Sequence, residues 1–138
     1  MTVPDLRIAI CRRCREPERR AAGAATADDL LAAAREGVAS GTPTHVRLSQ
    51  CLNCCDGGHT VRVEHRGVEV SIVGIRSVDE LDEVVKARDA IAAAWAGRDP
   101  GPPVPEKLVR RVFHLWRDGR LVWHAASEPS LEDAARSR

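Results

Sequence analysis

Leu6-Arg7-Ile8-Ala9-Ile10-Cys11-Arg12-Arg13-Cys14 decides the fold, because a short run containing β-branched residues ends directly at a C-x2-C pair. The run predicts a first strand that delivers Cys11 at its C-terminal end. Thr44 to Leu48 predicts a second strand, which leads in the same way into Gln50-Cys51-Leu52-Asn53-Cys54-Cys55. Between the two, Pro17 and Gly23 interrupt any continuous pattern, and Thr26 offers an N-cap with Asp28 and Asp29 in the first turn. Leu30, Leu31, Ala34 and Val38 follow at helical spacing until Gly37, Ser40, Gly41 and Pro43 end the segment. A strand, helix, strand order favours a right-handed crossover between parallel strands. Both C-terminal ends, and with them both cysteine clusters, then fall at one edge of one sheet.

Further along, His59 to His65 and Val68 to Val73 alternate in polarity, and Arg66-Gly67 between them predicts a hairpin. Ser77 caps one long helix with an apolar stripe of Val78, Leu81, Val84, Val85, Ala87 or Arg88, Ile91 and Trp95, closed by Gly97. The stretch from Arg98 to Pro105 then holds four of the chain's 8 prolines and reads as an extended, semi-rigid linker. We therefore expect an α/β domain over 1–98, and a proline-linked C-terminal arm over 99–138. Within the arm, Leu108, Val109, Val112, Phe113 and Trp116 suit a helix starting at Pro105, while a hairpin about Asp118-Gly119 would pair Trp116 with Leu121 almost as well. Trp116, Trp123 and the single Phe all lie there, so the arm is expected to pack on the main domain or on a second chain.

At 138 residues and 15.0 kDa the chain has the length of one domain. Its 43% hydrophobic share supports a folded core, and with one Phe, three Trp and no Tyr that core must be aliphatic. Lys and Arg total 21 against 20 acids, and a net charge of +1 leaves no global field to hold a nucleic acid. The first ten residues carry an acid and a proline without a long apolar run, and no later stretch reaches the length of a membrane span. The expected compartment is the cytoplasm.

All five cysteines, Cys11, Cys14, Cys51, Cys54 and Cys55, sit in the two clusters. An odd count without a secretion signal argues against a disulfide framework and leaves metal binding or redox chemistry. Two thiolates separated by two residues can grip one metal atom from a tight turn, and two such claws supply the four thiolates that zinc or an iron–sulfur cluster requires. The helix-long separation of Cys14 from Cys51 exceeds the spacing of about 15–20 residues in compact zinc ribbons, which lowers the case for structural zinc.

The run Gln50-Cys51-Leu52-Asn53-Cys54-Cys55-Asp56, followed by Gly57, Gly58, Thr60 and Val61, resembles the second cysteine motif of thioredoxin-like [2Fe-2S] ferredoxins. The nearest resemblance is to the bacterial predicted metal-binding family called domain of unknown function 1636. That family opens with a strand and C-x2-C, then shows a C-L-x-x-C-D motif before a hairpin and a final helix, covering about residues 6–97 here. The resemblance implies a thioredoxin-like fold of strand, helix, strand, hairpin and helix. Its four ligands would be Cys11, Cys14, Cys51 and Cys55. Cys54 stands second to these, at a position where such proteins usually carry a small residue. His59 also stands second, where members of the metal-binding family often carry a further cysteine, so that one ligand could be histidine. The implied function is a [2Fe-2S] electron carrier serving a redox partner protein, with no catalytic residue of its own, and a homodimer is plausible because such ferredoxins are often dimers. Arg12, Arg13 and Arg15 would offset the cluster's negative charge, meet an acidic partner, or simply form a solvated loop.

Two alternatives use the same residues. In one, zinc only holds the fold together and the arm binds a partner. In the other, Cys11 and Cys14 exchange thiols and a disulfide, with Thr42-Pro43-Thr44 as a thioredoxin-like proline segment. Glu16-Pro17 makes a helix from Cys14 awkward for the second alternative, and it leaves Cys51, Cys54 and Cys55 without a role. His45 and His65 fall at strand positions expected to face solvent, and His114 and His124 lie in the arm away from any cysteine. No nucleophile elbow, phosphate-binding glycine loop or paired carboxylate motif occurs, so the chain is not expected to be an enzyme.

Overall fold

The first two strands, β1 (Leu6–Cys11) and β2 (Thr44–Ser49), pair in parallel, with Leu6 opposite Thr44 and Cys11 opposite Ser49. The computed structural model describes residues 5–12, 23, 25–50, 58–94 and 104–125. The connection between the strands contains α1 (Ala27–Gly37), which starts where the sequence predicts. Thr26 Oγ1 accepts from the Asp29 N–H at 3.3 Å, and the Asp29 carboxylate accepts from the Thr26 N–H at 3.0 Å. This reciprocal box satisfies two of the amide donors that a helix start leaves open.

β3 (His59–His65) runs antiparallel to β1, and β4 (Val68–Ile75) folds back on β3. The turn between them holds Arg66 at φ 45° and Gly67 at φ 86°, the double left-handed geometry whose twist matches a two-residue hairpin. After β4 the single long helix expected over 77–95 is instead two, α2 (Val78–Lys86) and α3 (Arg88–Ala94). Ser77 caps α2 as predicted, accepting the Glu80 N–H at 3.1 Å. Val78, counted in the apolar stripe, is exposed in the first turn of α2, and Trp95 lies outside the described residues.

The helix and hairpin readings of the arm both hold, in succession. α4 (Glu106–Val109) is a single turn starting after Pro105, and β5 (Val112–Arg117) and β6 (Arg120–His124) then form a hairpin about Asp118-Gly119 with Trp116 opposite Leu121. β5 pairs antiparallel with β4, so the sheet has six strands in the order β2-β1-β3-β4-β5-β6. Leu108, Val112 and Leu115 join the same core as Leu6, Ile8 and Ile10. The molecule is therefore a mixed α/β fold built on one mixed sheet.

Period-two alternation gives that sheet two unlike faces. Ile8, Ile10, Val61, Val63, Val70 and Ile72 turn to one side and pack with Leu30 of α1, Leu81 and Val84 of α2 and Ile91 of α3. The opposite positions on the same strands are Arg7, Ala9, Arg47, Arg62, Glu64, Glu69, Ser71, His114 and His124. On that face Arg47 pairs with Glu64 at 3.0 Å and Arg62 with Glu69 at 3.8 Å. Such partly exposed pairs add little stability; the first reaches across β1 from β2 to β3, and the second matches charges on the neighbouring strands β3 and β4. No helix among the described residues is long and apolar enough to cross a membrane.

Candidate metal centre

Cys11 is the last residue of β1 and is fully buried. The ladder continues one residue past it, because the Arg12 N–H donates to the Ser49 carbonyl at 2.9 Å. The C-x2-C pair therefore begins on a backbone still tied to the end of β2, and Ser49 lies two residues before Cys51. The parallel pairing expected from the strand, helix, strand order is present, with both strand ends in register.

A third segment arrives at the same edge. β3 starts at His59, which is fully buried, and its Nδ1 lies 3.1 Å from the Cys11 carbonyl oxygen. A carbonyl oxygen only accepts, so Nδ1 carries the proton and donates, and in the neutral ring the lone pair is on Nε2. A histidine whose other nitrogen is fixed to a main-chain carbonyl has the orientation commonly found beside or within metal sites. Sequence reasoning gave His59 a place as a secondary ligand; the bond to the main chain of Cys11 was not visible in it.

Just before His59, Gly58 is packed against β4. A Cβ on Gly58 would lie 2.5 Å from the carbonyl carbon of Gly74 and 2.7 Å from the Ile75 nitrogen, both main-chain atoms that cannot swing aside. The backbone angle at Gly58 would admit any residue; the space would not. Gly58→Ala is expected to cost about 1–3 kcal/mol by overpacking and to push the start of β3 off β4, which loosens the His59 contact with Cys11. Urea unfolding monitored by circular dichroism checks the stability change.

Cys14, Cys51, Cys54 and Cys55 lie outside the described residues, as do Arg13, Arg15, Asp56 and Gly57. Among the described residues no three metal-ligating side chains gather. The histidines set aside in the sequence fall away from this edge. His45 is exposed on β2, His65 is half-buried rather than facing solvent, and His114 and His124 sit on β5 and β6.

The Thr42-Pro43-Thr44 segment has a clear position. Thr44 opens β2 opposite Leu6, at the far end of the strand pair from Cys11 and Ser49. Five residues of strand separate the two ends, about 16 Å at the usual rise, so Pro43 does not stand beside Cys11. Compared with protein-family models, curated proteins and solved structures, the chain finds no significant match.

Proposed function

We propose that this chain is a small metal-binding protein, in the first reading a [2Fe-2S] ferredoxin-like electron carrier of thioredoxin-like fold, with Cys11, Cys14, Cys51 and Cys55 as ligands. The observation that carries the reading is the shared edge. The ends of β1 and β2 and the start of β3 all lie there, with Cys11 opposite Ser49 and bonded through its carbonyl to His59. β1 lies between β2 and β3, about 9.5 Å apart at the usual strand spacing. Chain continuity therefore requires the segment carrying Cys51, Cys54 and Cys55 to leave and re-enter the sheet on either side of Cys11.

The donor chemistry fits as well. Four thiolates in two short sequence clusters match the demand of a [2Fe-2S] cluster, which supplies reversible one-electron transfer when bound. The order of strand, helix, strand, hairpin and helix supports the likeness to thioredoxin-like ferredoxins, and in such a protein Arg12, Arg13 and Arg15 would face a negatively charged centre or an acidic redox partner. A cytoplasmic carrier acting as monomer or homodimer is consistent with this reading. The thiol–disulfide alternative is weakened by the distance of Pro43 from Cys11.

Protein purified without oxygen is expected to absorb in the visible through sulfur-to-iron charge transfer, with iron and acid-labile sulfide in equal amounts. A colourless protein holding stoichiometric zinc would replace the electron carrier with a structural metal module. A metal-free protein with an oxidisable Cys11–Cys14 pair would overturn both.

A further inference from the structure

The peptide joining Cys11 to Arg12 is the first of the C-x2-C segment, and two different strands hold it. Its N–H, on Arg12, donates to the Ser49 carbonyl at the end of β2 at 2.9 Å. Its carbonyl, on Cys11, accepts from Nδ1 of His59 at the start of β3 at 3.1 Å. The N–H and C=O of a trans peptide point in opposite directions, and β1 lies between β2 and β3, so the two bonds grip one rigid plane from its two sides. They polarise the same peptide group in the same sense and so strengthen each other. The register of β1 on β3 runs from Leu6 opposite His65 to Ile10 opposite Val61, and the imidazole carries the hold of β3 one residue beyond it. The ring is firmly mounted: His59 stands opposite Ile75 of β4, and Gly58 before it packs on the main chain of Gly74 and Ile75.

We propose that His59 is a positioning residue of the metal centre, which presets the first claw by clamping the Cys11–Arg12 peptide through Nδ1. This inference rests on the metal-binding reading above and is the same for an iron–sulfur cluster or for zinc. The clamped plane fixes ψ of Cys11 and φ of Arg12, and with them the direction in which the chain leaves β1 toward Cys14. A claw whose first peptide is already set loses less conformational freedom when it closes on a metal. Cys11 and His59 are both fully buried, so solvent does not simply replace the donor when it is removed.

The test compares full-length wild type with three variants, loaded with iron and sulfide or with zinc. Transfer of metal to excess chelator under nitrogen is the first readout, and amide hydrogen exchange at Arg12, read by mass spectrometry, is the second. His59→Asn places a side-chain N–H near the position of Nδ1 and should release metal near the wild-type rate. His59→Gln, whose amide falls nearer Nε2, and His59→Leu, which has no donor, should release it about 10–100-fold faster, the range for lost outer partners of metal ligands. Both should also speed exchange at Arg12, while slow exchange at Ile8 and an unchanged circular dichroism spectrum show that the sheet is kept. Wild-type release from His59→Leu would overturn the proposal. So would retention of metal by His59→Gln but not by His59→Asn, which would make Nε2 the working atom and His59 a ligand. A wild type that takes up neither iron nor zinc would overturn the metal-binding reading itself, and this role with it.

Discussion

Cys51→Ser is expected to abolish metal binding, while Cys54→Ser leaves it intact. Cys51 follows Ser49 by two residues, and Ser49 is the ladder partner of Cys11. Only two residues of chain separate this thiolate from the ladder partner of Cys11. In the proposed centre, replacing it with a hydroxyl would take away one of four soft ligands and substitute a poor donor for iron or zinc. Iron and sulfide per chain should fall from near full occupancy to near zero. Cys55→Ser should behave as Cys51→Ser does. Cys11 is a less clean test, because its thiol is fully buried at a strand end and its loss also disturbs packing. Metal analysis of the purified variants, with circular dichroism to confirm folding, is the measurement. Equal loss in Cys51→Ser and Cys54→Ser would overturn the ligand assignment, and if Cys55→Ser then left metal binding intact the role would pass from Cys55 to Cys54.

Local signals in the sequence carried most of this architecture. The Thr26 and Ser77 caps appear where their side chains predict, because each depends on residues within one helical turn; the return bond from Asp29 is added by the structure. The Arg66-Gly67 and Asp118-Gly119 turns appear for the same reason: each pair adopts positive φ, which a two-residue hairpin needs. The convergence of β1 and β2 was legible through the handedness of the crossover, a rule of topology and not of any single residue. What escaped the sequence rests on contacts between distant segments. The closeness of Gly58 to Gly74 is a meeting of two backbones, and composition contains no trace of it. The His59 bond to Cys11 joins residues 48 apart along the chain. His114 and His124 looked unconnected until the hairpin register made them partners, and the arm looked separate until β5 added itself to β4.

The break between α2 and α3 shows the same limit and leads to the second large effect. The apolar stripe continues through Ala87 and Arg88, so periodicity alone predicts an unbroken helix. In the structure Arg88 is only 5% exposed, and its guanidinium bonds three main-chain carbonyls and one side-chain hydroxyl. Nη1 donates to the Val85 carbonyl at 2.7 Å, Nη2 to the Ser40 and Thr42 carbonyls at 2.8 and 2.9 Å, and Nε to the Thr44 hydroxyl at 2.8 Å. An unbroken helix would give the Val85 carbonyl to the amide four residues later; here it accepts from the Ala87 N–H and the guanidinium, and the helix restarts at Arg88. The other three bonds tie this junction to the chain entering β2. Arg88→Ala would therefore leave three carbonyls and a hydroxyl without their charged donor at a largely closed site. We expect a loss of about 2–4 kcal/mol, large for a single side chain on a helix. Arg88→Lys should recover only part, because one ammonium cannot span four acceptors in a planar fork. Urea unfolding of both variants measures the two losses. Comparable stability in wild type and Arg88→Ala would mean that water replaces the guanidinium at no cost, and that the start of β2 is held by its pairing with β1 alone.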